Sequence, residues 1–364
     1  MNEVWQIAGG DPGRDYTKLF LEHDVMFMGP GDYGHYREDT YSRLVRDGQE
    51  SSSRINMVRR FVSAPKPGDI VLLRRGKRVV AIGMVQEDYD WRPEFDDVYG
   101  WDLQHTRRVA WQDNLAGALE KIQSRKKLFW KRKQIPTFTA VRDTPVLKPV
   151  ESLFSQCASR PLRPMPQVKL PEPLDMENLG QELFSKGMPN ESVDKVLVAI
   201  RRQRRLVKWY QVHGTKSDRP AEHEVVAHMI LPLFLALGWS EQLIAIEWKR
   251  IDLACFWQTP TTKERCVLVC EAKWLGHGLQ NTFEQAKAYV EQLSLGNCRK
   301  LLVTDGARLY LYESTGRGWA DAPVGYVNVN RIRTDHIAPS GTNAVDTIVS
   351  LTPARVARPL PSTP

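Results

Sequence analysis

Apolar positions along the chain follow two different periods, and the change comes near the middle. In the first half they cluster in short runs at 4–7, 25–28, 70–73, 79–82 and 109–111. Runs this short, rich in Val and Ile and bounded by turn residues, predict strands. Pro67-Gly68-Asp69 and Arg74-Arg75-Gly76 are turns. They make 70–73 and 79–82 a hairpin that continues through Gly83 into Met84-Val85. A small β-barrel with a few helices is the economical expectation for this half.

The second half reads differently. Val193, Leu197 and Ile200 form an apolar stripe at helical spacing, and Arg201, Arg204, Arg205 and Lys208 form a basic one. A helix is expected over 221–237, stopped by Gly238. Strands are expected at 244–256 and 266–273, and a helix at 281–293. A strand at 300–304, a turn at Asp305-Gly306 and a strand at 308–312 follow. The order α-β-β-α-β-β predicts an α/β core with a mixed central sheet.

Between the halves stand Pro161, Pro164, Pro166, Pro171 and Pro173, a run that neither a helix nor a central strand tolerates. The expected organisation is therefore a first domain at 1–155, a Pro-rich and helical linker at 156–205 and a second domain at 206–335. With Pro353, Pro359, Pro361 and Pro364, residues 336–364 read as a disordered tail.

Composition narrows the function classes. The 364 residues are 42% hydrophobic and 26% charged, which is ordinary globular usage. The apolar stretch 229–239 is too short to span a bilayer and contains Pro232. No signal-peptide pattern opens the chain, so no membrane partner and a cytoplasmic location are expected. The five cysteines are irregularly spaced, and Cys266 and Cys270 fall in a strand-like run, so they read as buried core thiols. The net charge of +8 biases the chain toward polyanions, above all nucleic acid.

The candidate chemistry lies in Ile251-Asp252-Leu253-Ala254 and Cys270-Glu271-Ala272-Lys273. Residues two apart on a strand share a face, so Glu271 and Lys273 project together. An adjacent strand brings Asp252 beside them. Two carboxylates with open positions suit Mg²⁺, with Mn²⁺ an acceptable substitute, and the small Ala272 leaves its carbonyl as a further oxygen ligand. Such a metal lowers the pKa of bound water and neutralises phosphate charge. Lys273 is placed to orient or help deprotonate the attacking water. Glu222 shares a helical face with Val225, Val226 and Met229 and so points inward, whereas Glu224 is rotated off that stripe. Gln285 and Tyr289 are one helical turn apart and suit either support of the lysine or contact with backbone phosphates.

Taken in order, these motifs resemble the PD-(D/E)XK nuclease superfamily, most closely the N-terminal nuclease domain of type I restriction motor subunits. The resemblance includes Leu237-Gly238-Trp239 and 301–306, and runs from about Glu222 to Glu313. It implies a restriction-endonuclease-like α/β core, with Asp252 and Glu271 as metal ligands, Lys273 as the catalytic lysine and Gln285/Tyr289 as the supporting pair. Ile251 stands where the family name has Pro, which removes no chemical group.

In the first half, 66–71 and 80–85 resemble PUA-like barrels, including EVE-type domains. That resemblance implies a nucleic-acid reader, in some cases one holding a flipped modified base among aromatic rings. Tyr33, Trp91 and Trp101 are candidate rings for such a pocket. Arg125, Lys126 and Lys127 open the densest basic run and are candidate phosphate contacts, as are Arg201, Arg204 and Arg205. The combined expectation is a Mg²⁺-dependent endonuclease of restriction or defence type acting on double-stranded DNA, with modified cytosine one recognisable target and a homodimer one compatible state. The alternatives are a ribonuclease with an RNA-reading first domain and a nucleic-acid-binding protein that retains the fold without catalysis.

Overall fold

The computed structural model describes residues 3–356 apart from 12, 77, 113–114, 116–117, 119–135, 143–146, 148–149, 151, 154–159, 168, 214–219 and 317. The chain divides into two compact units, Met1–Lys169 and Leu170–Pro364. Among the described residues no helix is long and apolar enough to cross a membrane.

The first unit is a mixed α/β structure around a curled seven-stranded sheet, a half-barrel. Its strands are β1 (Val4–Ala8), β4 (Val25–Met28), β5 (Ile70–Arg75), β6 (Arg78–Val85), β7 (Asp90–Trp91), β8 (His105–Trp111) and β9 (Phe138–Ala140). β2 (Gly10–Asp11) and β3 (Arg14–Asp15) pair separately. The sheet order is β4-β8-β6-β5-β1-β9, with β7 also on β8. Only β1 and β5 pair in parallel among these strands. The expected hairpin is β5–β6, in register from Ile70↔Met84 to Arg75↔Arg78. Among its described residues the unit also has helices α1 (Thr17–Glu22), α2 (Glu38–Arg46) and α3 (Ser52–Ser63).

The unit extends past the boundary expected at 155. Arg160 donates to both carboxylate oxygens of Asp24, and the Arg163 backbone N–H reaches the same carboxylate at 2.7 Å. Asp24 is fully buried, so it requires these partners, and they tie the start of the Pro-rich segment to the first unit.

The second unit starts with α4 (Met176–Ser185), α5 (Asn190–His213) and α6 (Glu222–Val225). A π-helical turn, Val226–Ile230, joins α6 to α7 (Leu231–Ala236). Pro232 accounts for the wide turn: its ring crowds the carbonyl four residues back and it has no N–H to give. The Leu231 N–H reaches five residues back to the Val226 carbonyl instead. The helix expected over 221–237 is thus present but interrupted.

The second sheet has the order β10-β11-β12-β13-β14-β15. Its strands are β10 (Ile244–Trp248), β11 (Ile251–Phe256), β12 (Cys266–Ala272), β13 (Lys300–Thr304), β14 (Arg308–Glu313) and β15 (Gly325–Asn328). β12 and β13 are parallel, joined through α8 (Gln280–Leu293), and the other pairs are antiparallel. The single strand expected over 244–256 is a hairpin. Lys249 and Arg250 both adopt positive φ, the geometry of a tight two-residue turn, without the Gly or Asn that advertises one.

Two further expectations are corrected. Residues 176–205 are not a linker: Leu179, Leu183, Val196 and Ile200 share one core with Phe234, Leu253 and Leu302. Nor is the tail disordered from 336. α9 (Ala344–Ser350), capped by the Asn343 side chain, buries Val345 and Ile348 in that core, and α10 (Pro353–Val356) adds Val356. The apolar spacing within 344–356 outweighs the Pro and Ser/Thr content that suggested a tail. Residues 357–364 lie outside the described residues.

Candidate functional site

β12 is buried at all seven positions and carries one acid, Glu271. Burying an isolated carboxylate is costly, so its surroundings carry chemical information. Leu253 pairs with Cys270 across the antiparallel β11–β12 ladder. One step further along, Asp252 stands opposite Glu271, and opposed residues in such a ladder project to the same side. Lys273 follows on that side, two residues beyond Glu271.

The side chains meet. Lys273 Nζ lies 3.0 Å from Glu271 Oε1 and 3.3 Å from Glu222 Oε2. Gln285 Nε2 donates to Glu271 Oε1 at 2.6 Å and lies 3.2 Å from the Tyr289 hydroxyl. Asp252 Oδ2 accepts the Ala272 backbone N–H at 2.7 Å. Each contact has a local cause. On α8 the buried stripe is Thr282, Phe283, Ala286 and Val290, which leaves Gln285 and Tyr289 on its flank, facing β12. At the start of α6 the two acids separate: Glu222 turns to Lys273, while Glu224 reaches back to the Ala221 backbone N–H at 2.9 Å. That second contact is helix capping.

The electrostatics follow from burial. Desolvation, reinforced by Asp252, pushes the Glu271 carboxyl up to about 7. Desolvation also raises Asp252, against the pull of the Ala272 N–H. Burial works against the charge on Lys273, but Glu271 and Glu222 outweigh it and hold its pKa above the ordinary value. The cluster therefore holds a stable ammonium beside two carboxylates that resist sharing negative charge.

A divalent cation would relieve that conflict, and carboxylates are donors of the kind it takes. Among the described residues Glu271 Oε2 is buried without a hydrogen-bond partner. Hard carboxylate oxygens are what Mg²⁺ takes. Among the described residues no group of three or more His, Cys, Asp or Glu is spaced as a complete metal cage. Mg²⁺ does not need one, since it binds through one or two carboxylates and keeps several waters. Ala272 is buried, with its N–H committed to Asp252.

The loop after Lys273 is held from behind. Asp305, fully buried at the β13–β14 turn, accepts the Gly276 N–H at 2.9 Å and pairs with Arg308 at 2.5 Å. Arg308 also donates to the His277 carbonyl. Gly306, at φ +83°, completes the turn where a Cβ would stand 2.3 Å from Met229 Sδ. The sequence marked Asp305-Gly306 as a turn, but the brace to the lysine loop had no sequence signal.

The candidate nucleic-acid contacts divide. Arg204 donates to the Val329 carbonyl and is partly desolvated, which lowers its pKa, so it belongs to the packing of α5. Arg201 and Arg205 are exposed. Arg125, Lys126 and Lys127 lie outside the described residues. In the first unit, Tyr33 packs edge-on against Tyr41 at 6.2 Å, and Trp91 donates to the Gly31 carbonyl at 2.8 Å. Trp101 stands apart from these contacts, with the Arg14 guanidinium 4.0 Å over its ring.

Behind Tyr33 lies His105, which the sequence reading missed. Its Nε2 is 2.9 Å from the Pro30 carbonyl and 2.8 Å from the Tyr41 hydroxyl, and its Nδ1 is 2.9 Å from the Tyr89 hydroxyl. A carbonyl only accepts, so the proton sits on Nε2, and Nδ1 accepts from Tyr89. Burial pushes the imidazole pKa down to about 4.

A family model described as "Domain of unknown function (DUF8426)" matches residues 5–131, within the first unit. No curated protein matches the chain significantly.

Proposed function

We propose that the second unit is a restriction-endonuclease-like nuclease core that hydrolyses phosphodiester bonds in DNA, and that the first unit is a PUA-like nucleic-acid reader. The observation that carries the proposal is the buried Glu271. It is bonded by Lys273 and Gln285, stands opposite Asp252 and keeps one carboxylate oxygen unpartnered.

Asp252 and Glu271 would hold Mg²⁺ or Mn²⁺, with the Ala272 carbonyl as a further oxygen ligand. When bound, the ion supplies charge neutralisation at the phosphate and a more acidic water. The chain's own residues do the rest. Gln285 fixes the Glu271 carboxylate, and Tyr289 stands behind Gln285. Lys273, held as an ammonium, orients the attacking water by donating to it and neutralises charge developing on the phosphate oxygens. Its raised pKa favours this role over proton abstraction. Glu222 steadies the lysine from the open side of the site.

For the reader, support comes from the half-barrel with its aromatic cluster, and from the basic character of the chain as a whole. Modified cytosine is the target that the resemblance favours.

The test is incubation of supercoiled plasmid, linear duplexes with and without modified cytosine, and RNA with the full chain and Mg²⁺. Cleavage of DNA should need the metal, and Glu271→Gln and Lys273→Ala should each reduce it by a factor on the order of a hundred or more. Metal-independent cleavage, or full activity in either variant, removes the assignment. Cleavage confined to RNA moves the substrate class to ribonuclease.

A further inference from the structure

α5 has a second face whose cations are not explained by packing, and whose Trp209 touches only Tyr210 and His213 of the same helix among the ring contacts of the described residues. Its buried side carries Val193, Val196, Ile200, Gln203 and Val207. On the opposite side Arg201, Arg202, Arg205, Lys208 and Trp209 are all exposed, and Trp209 keeps 53% of its surface open. At 100° per residue these five fall within an arc of roughly 120°, extending about 12 Å along the axis. The side chains of the four cations make no ion pair or hydrogen bond among the described residues. Helix-dipole compensation does not explain them, because that effect is confined to the last turn, and only His213 is basic there.

α5 also lies near the site. It packs on the π-helical turn and α7, which continue the helix begun at Glu222, and Glu222 contacts Lys273.

We infer that Arg201, Arg202, Arg205 and Lys208 grip the backbone of a single-stranded nucleic-acid segment while Trp209 stacks on one of its bases, so that the second unit engages locally unpaired substrate. The inference rests on the nuclease reading for its location and deepens it by naming the substrate form. Charge complementarity selects a polyanion, and the indole selects among polyanions. A paired base inside a stack offers no face to an indole, whereas an unpaired one does, and aromatic stacking is tolerant of sequence. The cations supply affinity that salt weakens, and the ring supplies affinity that it does not.

Binding by the full chain, measured in EDTA so that nothing is cleaved, separates this inference from catalysis. The probes are fluorescein-labelled oligodeoxythymidine and the same strand paired with oligodeoxyadenosine, at low and high salt. Trp209→Ala should weaken binding of the single strand about tenfold, within the range of one lost stacking contact, and leave the duplex and the salt slope unchanged. Arg201→Glu with Arg205→Glu should weaken both probes and flatten the single-strand slope by about 1.4. A 5-bromouracil strand should photocrosslink to the peptide containing Trp209. An unchanged Trp209→Ala variant, equal losses on both probes, or crosslinks confined to the first unit overturn the inference. None of these outcomes depends on whether the metal-loaded protein cleaves.

Discussion

Glu271 is where chemistry and folding pull against each other. A carboxyl with an ordinary value of 4.5 is held at about 7 by burial and by Asp252. In the metal-free chain the folded state therefore keeps a proton that the unfolded state has released. The stabilising contribution is complete below about 4.5 and is lost as pH rises to about 7. Urea unfolding in EDTA should show this decline, and Glu271→Gln, which cannot ionise, should remove it. Adding Mg²⁺ should reverse the trend, because the ion favours the ionised form, and the midpoint should then rise with pH. A variant with the same pH slope as the parent would show that Glu271 ionises normally and that its surroundings are wetter than the burial indicates.

At the scale of elements, the site depends on how the β13–β14 turn braces the loop behind Lys273. Five donors converge on the two oxygens of Asp305: the Gly276, Ala307 and Arg308 backbone N–H groups and two Arg308 guanidinium nitrogens. Asp305→Asn turns one oxygen into a donor facing donors and leaves Arg308 buried without its counter-charge. The expected cost is about 3–5 kcal/mol, read as a lower urea midpoint with unchanged slope. A loss under about 1 kcal/mol would mean that water reaches the pair. This brace also shows where sequence reading stopped. β13 and the following turn were legible because 301–303 is uniformly apolar and Asp305-Gly306 is a turn pair. The loop partner of Asp305, Gly276, lies 29 positions upstream, with no local signature. Glu271 and Lys273 were legible as same-side neighbours because the strand period sets their direction, and an adjacent strand could bring Asp252, whereas the place of Gln285 and Tyr289 came from the family resemblance and not from their spacing. The hairpin at Lys249-Arg250 was not, because residues that seldom adopt positive φ form its turn. The helices at 344–356 were masked by prolines, and the role of Arg204 by its membership of a basic stripe that packing divides.

On the scale of the molecule, the two units bury separate cores. One cluster draws only on residues 4–153, including Val4, Leu72 and Ile82, and another only on residues 179–356. Units with their own cores unfold independently unless a large shared interface couples them, so 1–169 and 170–364 should each fold when expressed alone. Their pH responses should also oppose each other. His105 has a folded-state pKa of about 4 against an ordinary 6.5. Between those values the unfolded state takes a proton that the folded state refuses. The contribution of His105 is therefore complete above 6.5 and is lost as pH falls toward 4. Acid should weaken the first unit over the same range in which it strengthens the metal-free second unit through Glu271. Urea titrations of the separate fragments in EDTA, at about pH 5 and about pH 7.5, should give a higher midpoint at the higher pH for 1–169 and the reverse for 170–364. In the intact chain the two transitions should change their spacing with pH. His105→Gln keeps a side chain able to bond the tyrosines but unable to titrate, so it should flatten the first response alone. If both fragments respond with the same sign, His105 and Glu271 do not dominate the acid–base behaviour of their units, and the buried pairs built on Asp24 and Asp305 become the groups to vary next.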